Sequence, residues 1–295
     1  MMSPAVTIGD AIVDAVETES VRRVYPGGAA LNLAVGLKRL GIPSILAARI
    51  GADRDGYRLA RYLREEGVVL INTHNADFTG VATSRRSDGE PSYAFNSSMF
   101  RRRITFSTQL LDAISAAPAV AVNSFAFDKP QQTEGLYDAL HDARGLRVLD
   151  PNVRPALLDD LRVFQSGFDR VASRASVIKL SDEDSRLLHA RSDDEIAKRY
   201  FERGVEVLLL THGKGGASVR TRSGLYATVP ATRLDQPVID TMGAGDATLA
   251  SFIVFLLTEG TPNSEADWRR CLQRAMDVAG ATCRSTGAAL VAWPN

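Results

Sequence analysis

The sequence predicts an α/β protein with three layers, α/β/α: a mostly parallel central sheet, helices on both faces, and a small β-flap over one end. Three observations predict it. Short apolar, strand-like runs alternate with helix-like segments along most of the 295 residues, a rhythm that produces right-handed crossovers and a sheet covered on both sides. The stretch 79–96 breaks that rhythm with two strand-like runs around Asp88-Gly89, a hairpin signal with no helix of its own. Two glycine-rich stretches open directly into apolar helices, as phosphate-binding loops do.

Strand signals fall in order at 6–9, 45–50, 119–122, 147–150, 177–180 and 207–211. Helix signals lie at 30–40, 58–66, 132–143 and 194–203, and a long one begins at Ala244. No repeat, low-complexity tract or linker divides the chain, which predicts one domain over 1–295. The irregular segments 11–25 and 79–103 are expected to form the flap, acting as a lid that excludes water.

Composition narrows the function. Hydrophobic residues make up 45%, enough for a sizeable core, and 35 basic residues balance 35 acidic ones. That balance gives no footing for a nucleic-acid partner. The run Arg101-Arg102-Arg103 reads as a solvated turn or a clamp for one small anion. Cys271 and Cys283 fit neither a zinc spacing nor a disulfide framework, which suits a reducing compartment. The N-terminus has no secretory signal pattern, and the most apolar stretch, 247–257, falls short of the roughly 20 residues a membrane span needs. A cytoplasmic protein without a membrane partner is expected. The histidines at 74, 141, 189 and 212 show no metal-ligand spacing and are expected to be structural.

The chemistry concentrates in Asp240-Thr241-Met242-Gly243-Ala244-Gly245-Asp246. Gly243 and Gly245 let an anion approach the backbone, and the first helical turn meets it with free N–H groups. Asp246, in that turn, is placed to take a proton from an attacking hydroxyl, the small amount of chemistry that phosphoryl transfer requires. The alternative for Asp246 is a capping acid. The second stretch, Gly27-Gly28-Ala29-Ala30-Leu31-Asn32, again puts glycines ahead of a helix. Asn32 suits a sugar hydroxyl, because an amide donates and accepts at once; equally, it suits a helix cap. The turn Thr211-His212-Gly213-Lys214-Gly215-Gly216 follows a strand without matching a Walker loop. Asp10 and Asp14, beyond the first strand, are placed to accept polyol hydroxyls. Phe95 offers an aromatic face near the flap, or simple flap packing.

These motifs, in this order and over nearly the whole chain, resemble the ribokinase-like sugar kinases of the PfkB family. The first glycine stretch, with Gly41 and Gly51, matches one family signature, and 240–246 matches the second. Ser251 departs from the usual Gly or Ala. The resemblance implies an ATP-dependent carbohydrate kinase in which Asp246 is the base and Gly243, Ala244 and Gly245 form the anion hole. It implies sugar binding by Asp10, Asp14, Gly27, Gly28 and Asn32, with Phe95 nearby. Lys179, Ser181, Thr211, Gly213 and Gly216 would hold the nucleotide. Asp184 stands where a magnesium-linked Glu is common, and Asp240, Ser285 and Gly287 correspond to a potassium site. The segments 9–14, 150–155 and 179–184 resemble fructokinases in particular. The resemblance also implies a small-molecule sugar substrate, ATP with Mg2+ and K+, and a homodimer formed through the lid. A sugar-acid or phosphosugar kinase, and a catalytically silent sugar or nucleotide sensor, are the competing expectations.

Overall fold

A computed structural model describes residues 2–17, 22–73, 78–87, 90–233 and 237–284. The chain opens with β1 (Ala5–Gly9), β2 (Ile12–Glu17), β3 (Arg22–Gly27), α1 (Ala29–Arg39), β4 (Ser44–Ala48), α2 (Arg54–Glu65) and β5 (Val69–Asn72). A hairpin, β6 (Gly80–Ser87) and β7 (Glu90–Phe95), leads into α3 (Thr108–Ala116), β8 (Ala119–Asn123), α4 (Pro130–Ala139) and β9 (Leu146–Asp150). Next come α5 (Leu161–Ala172), β10 (Val177–Ser181), α6 (Asp182–Leu188), α7 (Asp193–Phe201), β11 (Val207–Thr211), β12 (Ala217–Thr221) and β13 (Tyr226–Val229). Two long helices, α8 (Ala244–Glu259) and α9 (Glu265–Thr282), close the fold.

Among the described residues, one sheet runs β13-β12-β11-β10-β9-β8-β1-β4-β5. It is parallel except at β12 and β13, which add antiparallel, with β13 at the edge. Strand side chains alternate between faces. Thus Val120 and Val122 join the core with helices α3 to α7, whereas Ala119 and Ala121 pack with α1, α8 and α9. Both faces are covered, so this is the ribokinase-like three-layer α/β/α fold.

Helix α8 is apolar around its whole circumference, and its residues from Asp246 to Leu256 are buried. A helix of that kind belongs in the interior, and this one is flanked by α1 and α9, with Phe252 stacked on Trp268 at 5.8 Å. Burial in a core explains why so apolar a stretch needs no bilayer; among the described residues no helix is long and apolar enough to cross a membrane.

The segments 11–25 and 79–103, expected to form the flap, contribute strands to one second sheet. Strands order as β3-β2-β6-β7 in a single sheet, with β2 and β6 parallel from Ile12↔Gly80 to Glu17↔Arg85. A parallel pair between segments so far apart leaves no local mark, whereas the β6–β7 hairpin carries its own turn. Phe95 packs at the lid's base against a small cluster of Ile12, Met99 and Leu157.

Candidate active site

The C-terminal ends of the parallel strands converge at one level. Gly9 pairs with Asn123, Asn123 with Asp150, and Ser181 with Thr211. Ligands of open α/β sheets bind outside these ends, and here the lid and the start of α8 rise on either side.

Gly243 caps α8 at φ 77°, ψ −4°, a left-handed conformation that costs other residues about 1–2 kcal/mol. No side chain caps this helix. Asp246 is therefore not a capping acid: its carboxylate leaves the backbone and accepts from Asn32 Nδ2 at 2.9 Å and Asn123 Nδ2 at 3.0 Å. The first-turn N–H groups stay directed at the open end of the helix.

Asn32 likewise is no cap. Gly28 (φ 100°) is the cap residue of α1, and Asn32 sits one turn inside, buried. Its amide donates to Asp246, while its Oδ1 is buried without a hydrogen-bond partner among the described residues. Gly28 has to be glycine, since a Cβ there would stand 2.4 Å from the Asp10 carbonyl. Gly27 gives room to Asp14, whose Oδ2 would lie 1.9 Å from a Cβ on that residue.

Asp14 projects from β2 toward Asp246. Burial, and next the Asp246 charge, push its carboxyl up to about 6 against the Arg154 guanidinium. Burial also raises the Asp246 carboxyl above the ordinary aspartate range, while Asn32, Lys179, Asn123 and Arg154 pull it back. A carboxylate raised by burial and held in place by amide donors can take up a proton from a neighbouring hydroxyl.

Lys179 Nζ pairs with Asp150 Oδ2 at 2.9 Å, both side chains almost fully buried. Burial alone would depress the ammonium, but the carboxylates of Asp150, Asp184 and Asp246 outweigh it and hold Lys179 charged. Its Nζ would be 3.6 Å from a Cβ on Gly245, so a fixed cation stands beside the α8 cradle.

The remaining expected residues divide. Ser181 and Asp184 form a reciprocal capping box at α6. Asp184 Oδ1 also accepts from Val153 N at 2.8 Å, so one oxygen braces the loop that carries Arg154 while the other closes the α6 cap on Ser181. Thr211 is the partly buried end of β11, next to the tight turn Gly213–Gly215. Gly216 (φ 97°) sits where a Cβ would meet the Val229 carbonyl at 2.1 Å, and His212 is held between Asp182 and Ser218 at 2.7 and 3.0 Å. Asp240 Oδ1 accepts from Met242 N at 3.0 Å, stiffening the loop before Gly243. Ser285 and Gly287 lie outside the described residues. Asp10, expected beside Asp14 as a hydroxyl acceptor, instead takes Arg102 at 2.9 Å and Ser124 at 3.0 Å on one oxygen. Phe95 is drawn into the base of the lid.

Asn123 escaped the sequence reading, and Asn152 and Arg154 lay in the segment 150–155 that it singled out without giving either a role. Asn123 ends β8 fully buried. Asn152 (φ 41°) donates to Asn123 Oδ1 at 3.3 Å. Arg154 is exposed and faces Asp14 and Asp246 closely enough to lower both. The signal was there: Asn123 is a polar residue closing an apolar strand, at the end where such sheets bind ligands.

The profile of the pfkB family carbohydrate kinases matches residues 3–295. The chain belongs to that family. It is an ATP-dependent carbohydrate kinase. The pfkB chain is 31% identical over 301 residues to a fructokinase of Klebsiella pneumoniae, covering 97% of this chain and 95% of that one. It is 25% identical over 248 residues to a 5-dehydro-2-deoxygluconokinase of Geobacillus kaustophilus, covering 80% and 73%. Its fold superposes on the crystal structure of a fructokinase with bound ATP from Xylella fastidiosa at a TM-score of 0.78 and 22% identity, over 97% of this chain and 94% of that one.

Proposed function

We infer that this pfkB kinase moves the γ-phosphate of ATP to a hydroxyl of fructose, with Asp246 as the base. The observation that carries the reading is the Asp246 carboxylate at the start of α8, tied to Asn32 and facing Asp14. In this mechanism Asp14 and the unpartnered Asn32 Oδ1 accept sugar hydroxyl protons and orient one hydroxyl toward Asp246. That oxygen bonds to the γ-phosphorus, its proton passes to Asp246, and the bond to the β-phosphate oxygen breaks to release ADP. The N–H groups at Gly243, Ala244 and Gly245 and the Lys179 ammonium meet the charge on the phosphoryl oxygens. Arg154 faces the same space and adds a second cation.

The nucleotide reading rests on Thr211, Gly213 and Gly216 at the end of β11, with Lys179 and Ser181 on β10. Magnesium would enter with the nucleotide's phosphates, its usual mode of binding; the donors at hand, Asp184 beside Asp150, fit a water-mediated contact and not a protein cage, and no cluster of three ligating side chains occurs among the described residues. Its contribution when bound is to neutralise phosphate charge. Asp240 is assigned to a potassium site. The open edges of the four-stranded lid support a homodimer, and two free cysteines support a cytoplasmic setting.

A coupled ADP-release assay with ATP, Mg2+ and K+ over fructose, ribose, 2-keto-3-deoxygluconate, fructose 6-phosphate and adenosine tests the reading. Turnover concentrated on fructose is expected. Turnover concentrated on the acid or the phosphosugar would replace fructose while keeping the phosphoryl-transfer site. ATP binding by folded protein without turnover of any sugar would favour the silent sensor.

A further inference from the structure

Of the arginines 101–103, Arg101 and Arg103 are exposed and only Arg102 turns inward, its side chain 11% exposed. It arrives from the segment that follows the lid, and it meets Asp10, the residue after β1, at 2.9 Å. Ser124 closes the contact by donating to the same Asp10 oxygen at 3.0 Å. Ser124 in turn follows Asn123, which holds Asp246. The sequence neighbours Asn123 and Ser124 thus reach Asp246 and the Asp10–Arg102 pair respectively, and the Asp10 carbonyl lies against Gly28 and Leu31 at the start of α1. Nearby, Arg49 is spent on Ser98, donating to its carbonyl and its Oγ at 3.0 and 3.1 Å.

We propose that Asp10 is a specificity-determining residue, an internal carboxylate that occupies Arg102 and so restricts the kinase to uncharged sugars. The inference rests on the sugar-kinase reading of the site. A substrate carboxylate or phosphate entering beside these residues would join Asp10, Asp14 and Asp246. The one arginine of the 101–103 run that turns inward is already neutralised, with a partner held at hydrogen-bond distance by the fold. Rejection by an uncompensated like charge is an inexpensive way to exclude a close analogue. Removing the Asp10 charge while keeping its shape would leave Arg102 buried and unpaired, a state that favours capture of an external anion.

The test compares wild type, Asp10→Asn and Asp10→Asn/Arg102→Ala. Rates are measured with ATP on fructose and 2-keto-3-deoxygluconate, and melting temperatures without ATP in sorbitol or gluconate, which differ in charge at one terminal carbon. Asp10→Asn is expected to narrow the preference for the neutral sugar by about 10-fold or more, through a lower KM for the acid. Gluconate should raise its melting temperature more than sorbitol does, and the double variant should return to wild-type discrimination. An unchanged preference in folded Asp10→Asn overturns the proposal. So does wild-type protein that gluconate stabilises more than sorbitol, a result needing no variant, or wild type that favours the acid. Wild-type turnover of ribose in place of fructose would sink the fructose assignment and still support exclusion of charged sugars.

Discussion

Asn123 donates its side-chain amide to Asp246 at 3.0 Å across 123 residues of sequence, and that contact ties the end of a core strand to the start of α8. With Asn32 on the other oxygen, it fixes the carboxylate in one orientation. In the proposed mechanism, a base held in this way needs no reorganisation when the hydroxyl arrives.

Asp246→Asn removes the proton acceptor and leaves the shape. We expect kcat to fall by about 100-fold or more with sugar KM within a few-fold, as loss of a general base implies. Steady-state kinetics on the sugar found active decide it, and near-normal turnover would exclude Asp246 as the base.

Asn123→Asp puts a second acid beside Asp246. Two neighbouring carboxyls hold one another's protons more tightly, so the acidic limb of the kcat–pH profile should move to higher pH. Asn123→Ala removes one of the donors that pull the Asp246 carboxyl down, so it should lower kcat and move the limb the same way by less. An acidic limb left in place by Asn123→Ala would detach Asn123 from the carboxylate it holds.

Gly27→Ala aims a methyl at Asp14 Oδ2 and forces the carboxylate aside. The expected signature is a rise in sugar KM of about 10-fold or more with kcat less affected, as for loss of ground-state binding. An unaltered KM in folded protein would detach Asp14 from the sugar.

Asp14, pushed up to about 6, carries a pH signature of known sign. Its folded value exceeds the unfolded one near 3.8, so its contribution to stability is present below pH 4 and is lost as pH rises through 6. Asp14→Asn should therefore stabilise the free protein at pH 8 but not at pH 4, by a cost on the order of 1–2 kcal/mol in so open a site. Binding runs the other way, because only the ionised form accepts two hydroxyls, and sugar KM should rise as pH falls through 6. Urea titrations and KM measurements across pH 4–8 test both halves.

Lys179→Met strands Asp150 as a buried charge without its partner, and a loss of about 3 kcal/mol is expected. Adding Asp150→Asn should recover part of it. Denaturation of the two variants measures the difference.

Much of this was legible in the chain. The six strand signals each fall on a strand of the central sheet, because a strand buried on both faces writes itself as a short apolar run. The cradle was legible because left-handed backbone at Gly243 and close approach at Gly28 demand glycine locally. Strands β5, β12 and β13 were not: the edge strands Val69–Asn72 and Tyr226–Val229 mix exposed with buried positions, and the buried β12 carries Ser218, Arg220 and Thr221 in place of an apolar run.

What the sequence determined by itself, then, was the layered fold, the glycine turn that opens α8 and the acid beside it, all set by periodicity and by backbone conformations that few residues can adopt. Partnership was decided by the tertiary structure alone. Asn32 is a tie to Asp246 and not a cap; Asp10 neutralises Arg102 instead of standing open; Asp184 braces a loop. A side chain's hydrogen-bonding capacity is written in its type, but its partner depends on which strand ends the sheet brings level, and that is settled by packing between segments a hundred or more residues apart.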